Sequence, residues 1–320
     1  MWLRLALLLV SALAAATVGA QNFPTRPVRN IVPYAAGGAV DTVARTVSSK
    51  LSDMWGQTVV IENRPGGAAN IGTDLAARAA PDGYTLLMGT TANGVNLHLM
   101  SKMSHNFIRD FTPISLVDTF YNILVVNSEL PAKSVKELLA LARAKPGQLN
   151  YGSAGVASSN HFSGELFNLL AGVKIQHVPY KDAGVALSDL IGGRLDMVFP
   201  SVAGSLAHLQ SGRLRGLGVT GPRRSAAVPQ VPTIAEAGVP GYELTPWHAL
   251  LAPAGTPKPI ITKLHADVVK ALAAPDIRTK LVSQGIDNIV GSTPDELAQF
   301  IKVETAKYEK LVTAAGLKKE

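Results

Sequence analysis

The chain has 320 residues, with 30 Lys and Arg against 23 Asp and Glu, and a formal net charge of +7. That length accommodates two domains with full cores, and 47% hydrophobic against 17% charged residues excludes a disordered chain. Basic residues never form a run longer than Arg223-Arg224 or Lys318-Lys319 and aromatics are 6%, so nucleic acid is not an expected partner. The absence of cysteine excludes thiol catalysis, iron–sulfur clusters, Cys-based zinc sites and disulfides.

Arg4 precedes an apolar run over 5–16, and Val18-Gly19-Ala20 stands before Gln21. This is the layout of a secretory signal peptide, and the run falls short of the ~20 residues of a membrane span. Cleavage after Ala20 and export of a soluble mature chain are expected.

A strand is predicted over 28–34, then a helix over 39–55 with Val40, Val43, Ala44, Val47, Leu51 and Met54 on one face. A strand over 58–61, a turn at 63–67, a helix over 70–80 and a strand over 84–88 follow. This alternation implies parallel pairing with helices on both faces. The stretch 90–110 reads as polar and irregular. Strands over 114–117 and 122–126, with no helix between them, mark a crossing into a second unit. There Ser134 and Glu137 form a capping box for a helix to about 145. Strands over 149–151, 175–178 and 195–199 alternate with a helix from 159 and another through 190, and 214–219 is a further strand. A Pro- and Gly-rich stretch over 222–242 leads to a strand over 247–251 that returns to the first unit. Three helices close the chain, over 257–274, over 276–284, and from Thr293, whose box with Glu296 has Pro294 at the first position. The expected division is 21–122 with 244–320 as domain 1 and 123–243 as domain 2. A ligand cleft should lie between them, outside the carboxyl ends of the strands.

The seven histidines show no close metal-ligand spacing, and neither GxGxxG nor a P-loop occurs. Ser153 lies in Gly-Ser-Ala-Gly rather than GxSxG. No catalytic residue, metal or cofactor is therefore assigned. What remains is a pair of small-residue strand-to-helix turns, one per unit, over 33–38 and 151–159. A helix N-terminus carries about half a positive charge and unpaired N–H groups, which small residues let an anion approach. Either turn alone reads as a tight connection; the duplication points to an anion site shared by both units. Asp41 would favour the dipole of its own helix, and it could serve a ligand through ordered water.

The segments PYAAGGAVDTVAR (33–45), GQTVVIENRPGG (56–67), APDGYTLLMG (80–89), DFTPIS (110–115), LNYGSAG (149–155), HVPYKD (177–182), VPTIAEAGVPGY (231–242) and APAGTP (252–257) occur in order. Together they resemble the Bug-type extracytoplasmic solute receptors of tripartite tricarboxylate transporters, across essentially the whole mature chain. The resemblance implies an α/β, two-domain periplasmic binding protein of type II-like build. Each domain would be a mostly parallel sheet flanked by helices, with the ligand cleft between them. It implies a monomer that delivers a small organic acid to membrane permease subunits; the acids include di- and tricarboxylates, acidic amino acids and aromatic carboxylates. It also implies ligand contacts at Tyr34, Ala36, Gly37, Gly38 and Asp41 in domain 1, and at Ser153, Ala154, Gly155 and Ser158 in domain 2. Thr90, Thr91 and Asn93 would meet the other end of the ligand, with His161, Tyr180, Lys181 and Phe199 as further candidates. Two departures stand out: Asn96-Leu97 where the family usually has Asn-Pro, and Lys181-Asp182 where it often has Lys-Gly. The second adds an acid near the domain-2 turn. A sensor subunit signalling to a membrane kinase, or an exported hydrolase or lyase using Ser153 or His161, are the alternatives to a transport receptor.

Overall fold

A computed structural model describes residues 23–317, so the leader and the cleavage position lie outside the described residues. The first sheet has the order β11-β4-β10-β3-β1-β2. It is built from β1 (Val28–Val32), β2 (Val59–Asn63), β3 (Thr85–Thr90), β4 (Phe111–Thr119), β10 (Trp247–Pro253) and β11 (Asn288–Ile289). The second, β7-β6-β8-β5-β9, uses β5 (Ile123–Asn127), β6 (Asn150–Ser153), β7 (Gln176–Pro179), β8 (Met197–Val198) and β9 (Leu214–Val219). Helices α1 (Ala39–Trp55), α2 (Asn70–Ala77) and α3 (Thr91–Leu99) belong to the first half of the chain. Helices α4 (Val135–Ala144), α5 (Ser159–Ala171), α6 (Ala183–Ile191) and α7 (Val202–Gln210) surround the second sheet. Helices α8 (Lys258–Ala273), α9 (Pro275–Ser283) and α10 (Pro294–Ala314) return to the first.

Both sheets are mixed in the same way. β1 pairs parallel with β2 and β3, and β6 pairs parallel with β7 and β8. The strand that follows each crossing runs the other way: β10 is antiparallel to β3 and β4, and β5 is antiparallel to β8 and β9. A strand entering a sheet from the opposite unit arrives at the carboxyl ends of its neighbours, so antiparallel pairing needs no return loop. The two crossings lie side by side and are bonded together. Phe120 N–H donates to Pro246 O at 3.0 Å, Thr220 N–H to Asn122 O at 2.9 Å and Leu244 N–H to Thr220 O at 2.9 Å.

Strand alternation accounts for the cores. In β3, Leu86 and Met88 join the cluster beneath α1 and α8, while Leu87 joins Phe107, Trp247 and Ile301 on the other face. In β5, Leu124 and Val126 take one face of the second sheet, and Ile123 and Val125 the other. One cluster spans both units: Ala92, Val95 and Leu99 of α3 and Tyr308, Leu311 and Val312 of α10 pack with Leu124, Tyr151 and Phe162. The C-terminal helix thus rests on both halves.

Two helices were not foreseen. α3 occupies part of the stretch read as irregular, because it is buried on nearly every side and shows no apolar stripe. Its polar residues are satisfied internally: Thr90 N–H donates to Asn93 Oδ1 at 2.8 Å, and Asn93 Nδ2 to Thr73 Oγ1 at 2.7 Å. Gly94 lets the Tyr308 ring approach, since a Cβ there would sit 3.2 Å from it. α7, a short helix that turns Val202, Leu206 and Leu209 to the second core, opens with the Ser201 hydroxyl accepting from Gly204 N–H at 3.3 Å.

Candidate functional site

A cleft of about 240 Å³ lies between the two sheets, the size class of a small molecule. Its lining includes the N-cap residues of five helices: Gly38 of α1, Thr90 of α3, Ser158 of α5, Asp182 of α6 and Ser201 of α7. Two of these helices belong to the first unit and three to the second. The lining contains no Lys or Arg, and Asp182 is its only carboxylate. Positive potential in the cleft is therefore supplied by backbone N–H groups. Tyr34, Val40, Phe120, Leu187, Pro200 and Trp247 provide the apolar wall. His248, also in the lining, is committed to Asp118, with Nδ1 at 2.9 and 3.1 Å from the two carboxylate oxygens, and stacks on Phe120.

The first turn is held by a charged clamp. Gly37 takes a φ of +86°, which glycine adopts without strain. Its N–H donates to Asp41 Oδ2 at 2.9 Å, and Arg45 Nε donates to the same oxygen at 2.8 Å. Asn63 Nδ2 donates to Asp41 Oδ1 at 2.8 Å and to Tyr34 O at 3.1 Å. Burial pushes the Asp41 carboxyl up, but the hydrogen bonds from Arg45, Gly37 and Asn63 outweigh it and hold the group below the ordinary carboxylate value. Both oxygens are occupied inside the first unit, so Asp41 shapes the turn and does not line the cleft. Burial raises the Tyr34 phenol, with the Thr90 hydroxyl pulling the other way, so the phenol keeps its proton at neutral pH.

The second turn is held by a neutral network. Ser153 Oγ accepts from Gly155 N–H at 3.0 Å and lies 2.6 Å from His177 Nε2. Ser158 Oγ donates to Gly155 O at 2.7 Å and caps α5 by accepting from His161 N–H at 3.3 Å. Ala157, at a φ of +63°, donates its N–H to His161 Nδ1 at 3.2 Å. Burial, then the adjacent His177, takes the His161 pKa down to about 3, and burial takes His177 down to about 4. Both imidazoles are neutral at neutral pH. Ser153 is fully buried, and its oxygen is engaged by Gly155 N–H and His177.

Of the residues expected at the site, Tyr34, Gly37, Gly38, Thr90, Thr91, Ala154 and Ser158 line the cleft. Asp41, Asn93, Ser153 and His161 stand behind the wall as fasteners, Gly155 forms the bend of the second turn, and Ala36 is exposed beside the first. Phe199 is a core ring against Tyr151 and Phe167, and only its carbonyl reaches toward the site by accepting from Asn160 Nδ2 at 2.6 Å. Tyr180 is turned to Asp189 of α6, and Lys181 points to solvent. Asn122, Asn160, Ser201 and His248 line the cleft without having been foreseen. Ser201 carries a readable sign, a serine before a helical turn, whereas Asn122 is placed only by the pairing of the two crossings. Among the described residues no group of three or more His, Asp or Glu side chains could hold a metal ion, and no helix is long and apolar enough to cross a membrane.

Two α/β units joined by paired crossings, with helix N-termini from both converging on one cleft, define the class of two-lobed solute-binding proteins. The chain belongs to the tripartite tricarboxylate transporter family receptors, whose description matches residues 43–317. It is 36% identical to protein BugT of Bordetella pertussis over 306 residues, covering 95% of this chain and 94% of that one. Among solved structures it is similar to R. palustris Rpa4515 with adipate, with a TM-score of 0.87, 37% identity and coverage of 92% of this chain and 98% of that one. It is also similar to MatC of Rhodopseudomonas palustris with bound malate, with a TM-score of 0.84, 34% identity and coverage of 91% and 100%.

Proposed function

We propose that the cleft captures a small organic carboxylate and that the protein delivers it to the membrane subunits of a tripartite tricarboxylate-type transporter. The observation that carries this reading is the convergence of five helix N-termini on a cleft without a basic side chain. The adipate and malate bound to two similar proteins support it. Tyr34, Gly38, Thr90 and Thr91 would meet the ligand from domain 1, comprising 21–122 and 244–320. Ala154, Ser158 and Asn160 would meet it from domain 2, over 123–243. A carboxylate touching both turns favours the closed arrangement by its differential affinity, which gives the membrane partner a loaded shape to recognise. The mature chain, exported to the periplasm and cut after Ala20, would act as a monomer without turnover.

The test is a thermal-shift screen of residues 21–320 against citrate, C4 to C6 dicarboxylates, acidic amino acids and aromatic carboxylates. A ligand at a hundred times its Kd stabilises by about 2.7 kcal/mol, a readable shift. Recovery of the acid chemically unchanged after long incubation is expected; conversion would move the protein to the hydrolase or lyase class.

A further inference from the structure

The cleft wall carries one hydrogen-bond acceptor that a plain carboxylate cannot satisfy, and a second stands buried behind it. Asp182 caps α6 through one oxygen, Oδ1, which accepts from Gly184 N–H at 2.7 Å. Its other oxygen, Oδ2, reaches across the cleft to within 3.8 Å of the point where a Cβ on Gly38 would stand, at the N-terminus of α1. That helix start has no side-chain cap of its own. The second acceptor is Asn122. It is fully buried, lines the cleft, and its Oδ1 has no partner in the protein. The amide orientation follows from its neighbour: Ser163 donates its hydroxyl proton to Ser159 O at 2.8 Å, so Ser163 Oγ can only accept from Asn122, and the amide nitrogen must face it at 3.1 Å. The oxygen stays without a donor, closed off from solvent just behind the cleft surface.

We propose that the ligand is a carboxylate that also bears a hydrogen-bond donor, an ammonium or a hydroxyl, and that Asp182 reads this donor. The inference rests on the carboxylate reading above. A ligand carboxylate gathered at the α1 N-terminus lies close to the fixed Asp182 charge. Two anions at that range repel unless a donor stands between them. Asp182 therefore penalises unsubstituted acids and admits substituted ones, which is how an unpaired acceptor discriminates between close analogues.

The experiment is calorimetry on matched skeletons, succinate, malate and aspartate, then glutarate and glutamate, with the wild type, Asp182→Asn and Asp182→Ser. Asn and Ser preserve the cap on α6, so both variants should fold. The wild type is expected to bind the better donor-bearing acid of each set at least ~10-fold tighter than the plain one, the scale of one close charge contact. Loss of that preference in both variants, with plain acids bound more tightly than by wild type, is the expected result. Hydroxyl and ammonium arms tell which donor is read. An unchanged ratio in both variants overturns the role of Asp182 and leaves the carboxylate reading standing. Binding of no acid by wild type and variants alike overturns both.

Discussion

The two turns that face each other across the cleft have similar small-residue sequences and are built on different chemistry. The turn after β1 is fastened by one ionised carboxylate, Asp41, gathering donors from Gly37, Arg45 and Asn63. The turn after β6 is fastened by neutral groups, with Ser153 bonded to His177 and Ala157 N–H bonded to His161. The difference follows from surroundings. Arg45 is half exposed, so the first clamp pairs its buried Asp41 carboxylate with a cation at the edge of water, whereas the second lies behind the domain-2 wall among Tyr151, Phe162 and His177. Charge serves where solvent can share the desolvation cost, and neutral imidazoles serve where it cannot. Two routes thus give one outcome, a helix start whose N–H groups are presented without a basic side chain.

The comparison is broken most directly at Gly37. A Cβ there meets nothing in the protein, so Gly37→Val adds bulk on the cleft side and strain at a positive φ without a core clash. Carboxylate affinity should fall at least ~100-fold in calorimetry, with a stability loss of about 1–3 kcal/mol by denaturant titration. Retained affinity in the folded variant would remove the first turn from the site.

Asp41→Ala strips the acceptor from three donors and should cost about 1.5–3 kcal/mol, the scale of hydrogen bonds to a charged group. Ser153→Ala, in the neutral network, should cost about 1 kcal/mol more than an exposed control. Equal losses would mean that the two fastenings are energetically alike.

Acid separates them further. The folded pKa values of His161 and His177 lie below the ordinary 6.5, so the unfolded chain binds more protons there. Their contribution is full above about pH 6.5 and is lost progressively as pH falls toward 4 and then 3. Asp41, held below 3.8, contributes above that pH and loses its share only as pH falls through its lower folded value. Thermal unfolding between pH 6.5 and 4 should therefore show a decline that His177→Gln reduces and Asp41→Asn leaves in place. An unchanged slope in His177→Gln would assign the decline elsewhere.

The smallest effect is expected away from both turns. Thr293→Ala removes the capping box of α10, where Thr293 and Glu296 exchange hydrogen bonds of 2.8 and 3.2 Å. It should cost about 1 kcal/mol and leave affinity unchanged.

Local pattern was enough for most of the elements: the alternation in β3 and β5, the one-sided apolar face of α1, and the Thr293 box that opens α10 are written in residues a few positions apart. The same is true of the two small-residue turns, since a helix start and a glycine at positive φ are local events. α3 escaped because its partners, Thr73 and Tyr308, come from distant parts of the chain and let a helix bury polar residues without an apolar stripe. Asp41 and Phe199 sit in segments that look like cleft residues, and only packing turned the first into a clamp and the second into core. Asn122 and Asp182 face one cleft because two crossings pair side by side and set two sheets opposite each other. Sequence determined the pieces, because propensity and periodicity act over one or two turns. The tertiary structure alone decided which side chains meet, because that depends on contacts between residues up to hundreds of positions apart.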